Sequence, residues 1–186
     1  GLGDVYKRQV KSFEIPELRE RIGIVPQKAV LFKGSIRDNM RWGKDDATDD
    51  EILAAAKTAQ AADVIESKGG LDFEIEQGGK NLSGGQRQRF TIARALVRKP
   101  EILILDDSAS ALDFATDAAL RRSIREMDTN PTVFIVSQRT SSIQHADKII
   151  VLDDGKIAGI GKHDELLNNC PVYSEIYNSQ FKKEAV

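Results

Sequence analysis

Four short apolar runs place the strongest constraint on how this chain of 186 residues can fold. They cover residues 22–25, 102–105, 132–136 and 148–152, and each is shorter than an ordinary helix. Most are continuous rather than alternating, which predicts strands whose two faces are both covered. Because helical patterns separate the runs, the sequence predicts an α/β sheet.

Local start and stop signals divide the segments between these runs into helices. A capping box, Thr48-Asp-Asp-Glu51, opens the first helix, and Pro100 ends the second. A tight turn at 153–155 joins the last apolar run to a short strand at 156–160. The expected helices cover residues 48–62, 83–97 and 116–127, with further helical patterns near residues 164 and 173. These signals predict a helical insertion at about 29–99.

Composition excludes several classes of function. The formal net charge of −2 argues against nucleic-acid binding, which usually needs a strong basic excess. The one cysteine, Cys170, excludes an intrachain disulfide, and together with His145 and His163 it offers too few ligands for a Cys/His zinc site. No apolar run approaches the roughly 20 residues that span a bilayer, and no signal-peptide pattern opens the chain. We therefore expect a soluble piece of a larger protein.

Residues 1–9 differ from the rest of the chain. They have no amphipathic period and resemble the in-frame translation of a transposon-derived sequencing adapter. We expect this stretch not to be native and the true gene to extend upstream, the alternative being an ordinary polar N-terminal tail. The DNA sequence read across this junction distinguishes the two.

Two segments carry residues suited to phosphate and metal chemistry. Asn81-Leu-Ser-Gly-Gly-Gln-Arg-Gln-Arg89 places a serine and two glycines at a predicted helix start, where free backbone N–H groups and the helix dipole attract phosphate. Ile102-Leu-Ile-Leu-Asp-Asp107 is a strand that ends in two carboxylates, as needed beside a hydrated Mg²⁺ and a nucleotide. Taken singly, the first segment also fits a plain N-cap with a flexible turn, and the second a strand with a solvated acidic turn.

In this order, the two segments resemble the nucleotide-binding domain of ATP-binding-cassette (ABC) proteins, and the resemblance extends from Val10 to about Tyr177. It implies an α/β fold: an incomplete RecA-like P-loop NTPase core, with a mainly parallel sheet, and an ABC α-helical subdomain. Residues 10–28 and 100–186 would form the core, and residues 29–99 the helical subdomain that ends in the signature helix. The implied cofactors are ATP and Mg²⁺.

The resemblance also assigns site residues position by position. Gln27, in Ile-Val-Pro-Gln, matches the Q-loop glutamine that senses the γ-phosphate, and Asp106 matches the magnesium-linked aspartate, so both are expected at the Mg²⁺ site. Asp107 and Gln138 occupy the catalytic-base and switch-loop positions. The family signature, which caps the ATP of a partner chain, is matched by Ser83, Gly84, Gly85 and Gln86. The D-loop, which contacts the other chain of the dimer, is matched by Ser110, Ala111, Leu112 and Asp113.

Three departures from the family pattern bear on activity. The sequence has no Gly-x-x-x-x-Gly-Lys-Ser/Thr stretch, the P-loop that cradles phosphates, so we expect the chain by itself to bind ATP poorly or not at all and to be inactive. Asp107 replaces the glutamate that polarises the attacking water, and a carboxylate withdrawn by roughly 1 Å can cost about 10²-fold in rate. Gln138 replaces the switch histidine, so it can donate a hydrogen bond but carries no charge.

Loss of both the glutamate and the histidine resembles the degenerate half of heterodimeric multidrug-type ABC exporters. The resemblance implies an ATP-driven translocase whose own site is degenerate, while its signature completes the catalytic site of a second half-transporter. The implied partners are that second chain and a transmembrane domain encoded upstream. No nucleic-acid partner is implied, and the chain is expected to associate with the membrane only through the transmembrane domain. The implied location is the cytoplasmic face of the plasma (inner) membrane.

Further segments favour the exporter subclass, and two alternatives remain. Residues 76–80 and 31–39 resemble exporter segments that contact the membrane domain, although Phe32 and Ile36 equally fit core positions, and Trp42 is expected to serve packing. One alternative is a soluble ABC ATPase that acts on DNA or ribosomes. The coiled-coil form of that class does not fit, because residues 28–82 contain no heptads. The other alternative is a regulatory ATP-binding module that does not hydrolyse ATP.

Overall fold

The computed structural model describes residues 13–181, so the expectations for residues 1–9 fall outside the described part of the chain. Its elements divide into two compact units, one ending at Val136 and one beginning at Ser137. The predicted helical insertion at 29–99 and the strands that flank it belong to the first unit. The separation of that insertion as a subdomain of its own stays a prediction.

The described strands of the first unit form two sheets. They are β1 (Ile22–Val25), β2 (Gly34–Ser35), β3 (Glu74–Ile75), β4 (Ile102–Asp106) and β5 (Thr132–Val136). β4 lies between β1 and β5 in a parallel three-stranded sheet, and β2 pairs with β3 in an antiparallel ribbon. The apolar runs at 22–25, 102–105 and 132–136 are therefore confirmed as strands of one parallel sheet.

The helices of the first unit follow the predicted pattern with one early stop. In the described residues they are α1 (Ile15–Glu20), α2 (Ile36–Arg41), α3 (Asp49–Thr58), α4 (Ala62–Ser67), α5 (Gly84–Leu96) and α6 (Phe114–Arg125). α3 begins as predicted, because Thr48 and Glu51 form their capping box. It ends at Thr58 rather than near residue 62, because Gln60 has a φ of 57° and a left-handed residue cannot continue a right-handed helix.

The parallel sheet of the first unit is buried on one face. Leu103 is fully buried there, together with Phe90 and Ile92 of α5, which packs on β1 and α3. On the opposite face Ile24 is 59% exposed and Phe134 is 56% exposed. The prediction that both faces of these strands are covered was therefore wrong for the described residues, because their burial alternates along each strand instead of running continuously.

The second unit combines an antiparallel hairpin with short helices. In its described residues the elements are α7 (Thr140–Ile143), β6 (Ile149–Asp153), β7 (Lys156–Gly161), α8 (His163–Asn169) and α9 (Pro171–Phe181). Asp154 and Gly155 have φ values of 45° and 73°, which confirms the predicted tight turn between the strands. One face of the hairpin packs against α8 and α9 around the buried Tyr173.

The remaining histidines and the cysteine have contacts typical of structural residues. His163 Nδ1 lies 2.8 Å from the Tyr173 hydroxyl oxygen, inside the core of the second unit. Cys170 is 4% exposed, and its Sγ lies 3.8 Å from the carbonyl oxygen of Ala158. His145 is exposed, with its Nε2 3.4 Å from the side-chain nitrogen of Gln144. His163 and Cys170 therefore contact the core of the second unit, whereas His145 lies at the surface.

Candidate nucleotide site

The two carboxylates of the acidic strand end take different positions. Asp106 is the last residue of β4 and is exposed. Asp107 is half-buried and has a φ of 44°, a left-handed conformation that aspartate tolerates better than most residues. Its N–H donates to the Val136 carbonyl at 2.8 Å, and its own carbonyl accepts from the Ser110 hydroxyl at 2.8 Å. The strand therefore ends in a sharp turn that places both carboxylates at the carboxyl edge of the sheet.

Gln27 meets this turn, although it lies 80 positions earlier in the sequence. β1 and β4 are adjacent and parallel, so the residues that follow them reach the same edge of the sheet. The Gln27 side-chain nitrogen donates a hydrogen bond of 3.2 Å to Asp107 Oδ2. The structure thus brings the predicted Q-loop residue into contact with the predicted catalytic base.

The donor atoms at this edge fit a magnesium ion that keeps most of its water. Asp106 offers a carboxylate, and Gln27 offers its side-chain carbonyl oxygen while its nitrogen is bonded to Asp107. Mg²⁺ prefers oxygen ligands and is commonly held by one or two carboxylates plus substrate phosphates. Within residues 13–181 there is no group of three or more His, Cys, Asp or Glu side chains that could hold a metal alone. The carboxylate of Asp106 and the amide oxygen of Gln27 suit a Mg²⁺ ion whose other ligands are water and phosphate.

The signature serine and glutamine cap the helix that they begin. The Ser83 hydroxyl accepts from the backbone N–H of Gln86 at 3.2 Å, and the Gln86 side-chain oxygen accepts from the backbone N–H of Ser83 at 2.9 Å. Gly84 and Gly85 occupy the first two positions of α5, where backbone N–H groups have no acceptor within the helix. Ser83 and Gly84 are exposed, so an anion can reach this helix start. Phosphate binding at this position stays a prediction.

Asn81 and Arg87, to which the sequence assigns no role, order the chain that leads into the signature. The Asn81 side chain accepts from the Glu76 N–H at 3.0 Å and donates to the Glu74 carbonyl at 2.9 Å. Arg87 donates to the carbonyl oxygens of Leu82 at 2.8 Å and Gly79 at 3.2 Å. Both residues lie inside the motif at residues 81–89, and this position is the sequence feature that could have indicated their role. They hold the chain that leads into Ser83.

The signature helix contacts the predicted D-loop. A Cβ atom added to Gly85 would lie 3.3 Å from the carbonyl oxygen of Ala111 and 4.0 Å from Leu112. Leu112 is buried, whereas Ser110 and Ala111 are exposed. The start of the signature helix therefore packs against the D-loop of the same chain.

Asp113 ends the D-loop as the N-cap of α6. Its carboxylate accepts from the Thr116 backbone N–H at 2.9 Å and from the Thr116 hydroxyl at 2.8 Å. These bonds, that of the N–H first, hold the pKa of Asp113 below its usual range. The residue is therefore an anionic cap at the positive end of a helix dipole.

The switch-loop residue Gln138 lies at the start of the second unit, where it is exposed. Its backbone carbonyl accepts from the side-chain nitrogen of Gln180 at 2.6 Å. The neighbouring Ser137 hydroxyl accepts from the Arg139 N–H at 3.0 Å. Main-chain and side-chain hydrogen bonds thus order the loop, while the Gln138 side chain remains at the surface.

An aromatic pair marks the segment after the Q-loop. Phe32 is 37% exposed, and its ring centroid lies 4.7 Å from that of Trp42, which is 65% exposed. The two rings line a cavity of about 230 Å³, together with Arg94 of α5, whose guanidinium lies over Phe32. Ile36, by contrast, is fully buried. The sequence left a surface or a core position possible for Phe32 and Ile36. In the structure Phe32 lies at the surface and Ile36 in the core. Trp42 serves packing, as expected, but it packs on Phe32 at the surface.

A solved structure resembles this chain closely. It is a bacterial Atm1-family ABC exporter with ATP bound, which aligns with a TM-score of 0.82 and 39% sequence identity over 90% of this chain and 29% of its own. At this identity and score the α/β arrangement is that of an ABC ATPase nucleotide-binding fold, as the sequence predicted.

Curated relatives agree with the structural match. The uncharacterized ABC transporter ATP-binding protein YfiB of Bacillus subtilis is 44% identical over 98% of this chain and 32% of its own length. The probable multidrug resistance ABC transporter ATP-binding/permease protein YheI, also of Bacillus subtilis, is 45% identical over 92% of this chain and 29% of its own length. The chain therefore spans about a third or less of the relatives that it matches.

Two observations complete the comparison. Among the described helices, none is long and apolar enough to cross a membrane. The sequence model of the ABC transporter family matches residues 3–110, which is more than half of the chain. The chain belongs to the ABC transporter family, as part of its ATP-binding domain.

Proposed function

We propose that this chain is part of an ABC exporter that couples the binding and hydrolysis of ATP to export across a membrane. The relatives named as multidrug-resistance and Atm1-family exporters support an export role. In this proposal the ATP-binding domain lies on the cytoplasmic face of the membrane and acts through a transmembrane domain elsewhere in the protein. The exposed Phe32–Trp42 pair would contact that domain, because exposed aromatic side chains with a nearby cavity are typical of interaction surfaces.

The chain would contribute a weak catalytic site of its own. Bound MgATP would supply the reactive γ-phosphoryl group and the metal charge that offsets its negative charge. Asp106 and the side-chain oxygen of Gln27 would hold the metal, and Asp107 would orient the attacking water. Asp107 is one carbon shorter than glutamate, and Gln27 already occupies its Oδ2, so its carboxylate reaches water poorly. Gln138 would donate a hydrogen bond to the γ-phosphate without adding positive charge.

The same chain would contribute a competent signature to a different partner. The observation that carries this proposal is that one chain combines an intact, exposed start of α5 with an altered carboxylate site. Ser83 and Gln86 hold the helix start by their capping box, and Gly84 and Gly85 present their N–H groups. The contact between Gly85 and the D-loop would let Ser110 and Ala111 report the presence of the partner's nucleotide. A heterodimer with one strong and one weak ATP site follows from this asymmetry.

A single-turnover experiment on the full-length heterodimer tests the proposal. Both sites are loaded with ATP while Mg²⁺ is chelated, Mg²⁺ is then added, and hydrolysis of the bound ATP is followed. We expect about half of the bound ATP to be hydrolysed in a fast phase, because one site lacks its glutamate. In the double variant Asp107→Glu, Gln138→His we expect nearly all of it in the fast phase, since the slow site gains about 10²-fold in rate.

A matched control uses the same substitutions outside the site. Asp154 has a φ of 45°, close to the 44° of Asp107. Asp154→Glu combined with Gln144→His therefore makes the same two residue changes and places glutamate in the same left-handed backbone conformation. This control should retain the two-phase time course. An unchanged fast fraction in the Asp107 and Gln138 variant would contradict the degenerate-site proposal. Absence of any fast phase in the wild type would instead favour a regulatory module that does not hydrolyse ATP.

A further inference from the structure

The last described turn of α9 is bonded to the switch loop through one side chain. The Gln180 amide nitrogen donates to the carbonyl oxygen of Gln138 at 2.6 Å. Its amide oxygen accepts from the Thr140 backbone N–H at 2.9 Å and from the Thr140 hydroxyl at 3.0 Å. Gln180 therefore uses both ends of its amide, and it holds the main chain on both sides of Arg139.

These bonds join two parts of the second unit that are firmly placed. Thr140 is 2% exposed at the start of α7, and Tyr173 of α9 is also 2% exposed. The ring centroids of Tyr177 and Phe181 are 4.4 Å apart, and that of Tyr177 lies 5.2 Å from His163. α9 is thus anchored by an aromatic cluster beside Gln180, so the amide reaches the loop from a fixed support.

We propose that Gln180 is a positioning residue for the switch loop and thereby sets the response of Gln138 to the γ-phosphate. The inference rests on the proposed function, in which the Gln138 side chain contacts that phosphate. A glutamine side chain has more rotatable bonds than histidine and loses more conformational entropy when it is fixed. Fixing the backbone in advance reduces the entropy that is still lost when the side chain binds. We call the hydrogen bonds from Gln180 to Gln138 and Thr140 the clamp, and a switch loop that lacks histidine benefits from it for this reason.

The clamp needs an amide at position 180. Methionine has a similar length and no polar hydrogen, so Gln180→Met removes the hydrogen bonds to Gln138 and Thr140 with little change in packing volume. Glutamate keeps an acceptor for Thr140 but cannot donate to the Gln138 carbonyl. Asn178 provides the matched control. Within residues 13–181 its side chain bonds Ser174 of the same helix, at 3.3 Å, so Asn178→Leu removes an amide that does not contact the loop.

The first arm of the test measures hydrogen–deuterium exchange in the 186-residue chain. The N–H of Thr140 should exchange about tenfold faster in Gln180→Met than in the wild type, because the variant lacks its acceptor. Asn178→Leu should leave this rate unchanged. Equal exchange at Thr140 in the wild type and Gln180→Met would overturn the clamp.

The second arm measures nucleotide affinity in the full-length protein without hydrolysis. We expect Gln180→Met to raise the Kd for MgATP by about 3- to 10-fold and to leave the Kd for MgADP within about twofold, since only ATP carries the γ-phosphate. Gln180→Glu should shift the ATP affinity in the same direction. Equal losses of ATP and ADP affinity would show a general structural defect and overturn the positioning role.

The two arms separate this inference from the function on which it rests. A full-length wild type that binds neither nucleotide would refute the proposed function, and the exchange arm would then decide whether the clamp exists. Faster exchange together with unchanged ATP affinity would refute the link between Gln180 and the γ-phosphate. Faster exchange together with a selective loss of ATP affinity would support both.

Discussion

At the scale of single residues, the two glycines of the signature have different surroundings. A Cβ atom at Gly84 would meet only the end of the Arg87 side chain, at 4.0 Å. A Cβ atom at Gly85 would lie 3.3 Å from the backbone oxygen of Ala111, which cannot rotate away as a side chain can. The D-loop therefore leaves little room for a side chain at Gly85, whereas Gly84 has room for one.

This difference predicts opposite effects of two alanine substitutions on the stability of the chain. Gly84→Ala should leave the free energy of unfolding unchanged or raise it, because alanine favours helix and the added methyl group meets open space. Gly85→Ala should be less stable than Gly84→Ala by about 1 kcal/mol, because the D-loop must shift. Denaturant unfolding monitored by circular dichroism measures both, each variant being the control for the other. Equal stability of the two would contradict the close contact.

At the scale of elements, several helices begin at caps that their own sequences specify. Capping boxes join Ser35 to Asp38, Thr48 to Glu51 and Ser83 to Gln86, while Asp113 caps α6 alone. The pKa of Asp38 is lowered, first by the Ser35 hydroxyl, and that of Asp113 is lowered by Thr116. A carboxylate whose pKa is lowered on folding stabilises the folded state above its unfolded pKa, and this stabilisation is lost as pH falls through the folded pKa.

The cap of α6 gives a pH-dependent prediction. Asp113→Asn keeps an N-cap acceptor but removes the charge at the helix start. We expect the wild type to be more stable than the variant at pH 7, and this difference to shrink as pH falls below about 4. Thermal unfolding of both proteins between neutral and acid pH measures it. Asp113→Ala, which removes the acceptor itself, is the control and should stay less stable than Asp113→Asn at every pH. A wild-type advantage that is the same at pH 3 as at pH 7 would exclude the charged cap.

At the scale of the whole molecule, the open face of the parallel sheet is a notable surface. Ile24 and Phe134 pair in register with Ile104, so the three form a row across β1, β4 and β5. Ile24 and Phe134 are each more than half exposed. An apolar row of this kind on a sheet face favours association with another apolar surface.

We expect the chain to self-associate through this face. The double substitution Ile24→Thr, Phe134→Thr keeps residues that favour strands and removes the apolar row, so the monomer fraction should rise while stability changes little. Sedimentation velocity over a range of protein concentrations measures the monomer fraction. Leu103→Thr, on the buried face of β4, is the control and should cost about 3 kcal/mol without reducing association. Unchanged association in the double variant would contradict the role of this face.

Local signals in the sequence were sufficient for most elements. The strand runs, the capping box at Thr48 and the hairpin turn at Asp154 each depend on neighbours only a few residues away, and the structure confirms them. The short helices α1, α2, α4 and α7 were not predicted, because a helix of one or two turns gives too little periodicity to recognise. The early end of α3 was missed because nothing in the local composition marks Gln60 for a left-handed conformation.

The sequence by itself determined the strands, the longer helices and the motifs that place this chain in the ABC transporter family, because these features depend on periodicity and on residue types at fixed spacing. Only the tertiary structure decided which distant residues meet. The hydrogen bond from Gln27 to Asp107, the contact between Gly85 and Ala111 and the clamp of Gln180 on the switch loop each join residues that are far apart along the chain. Such contacts follow from the pairing of parallel strands and from helix packing, which no local pattern encodes.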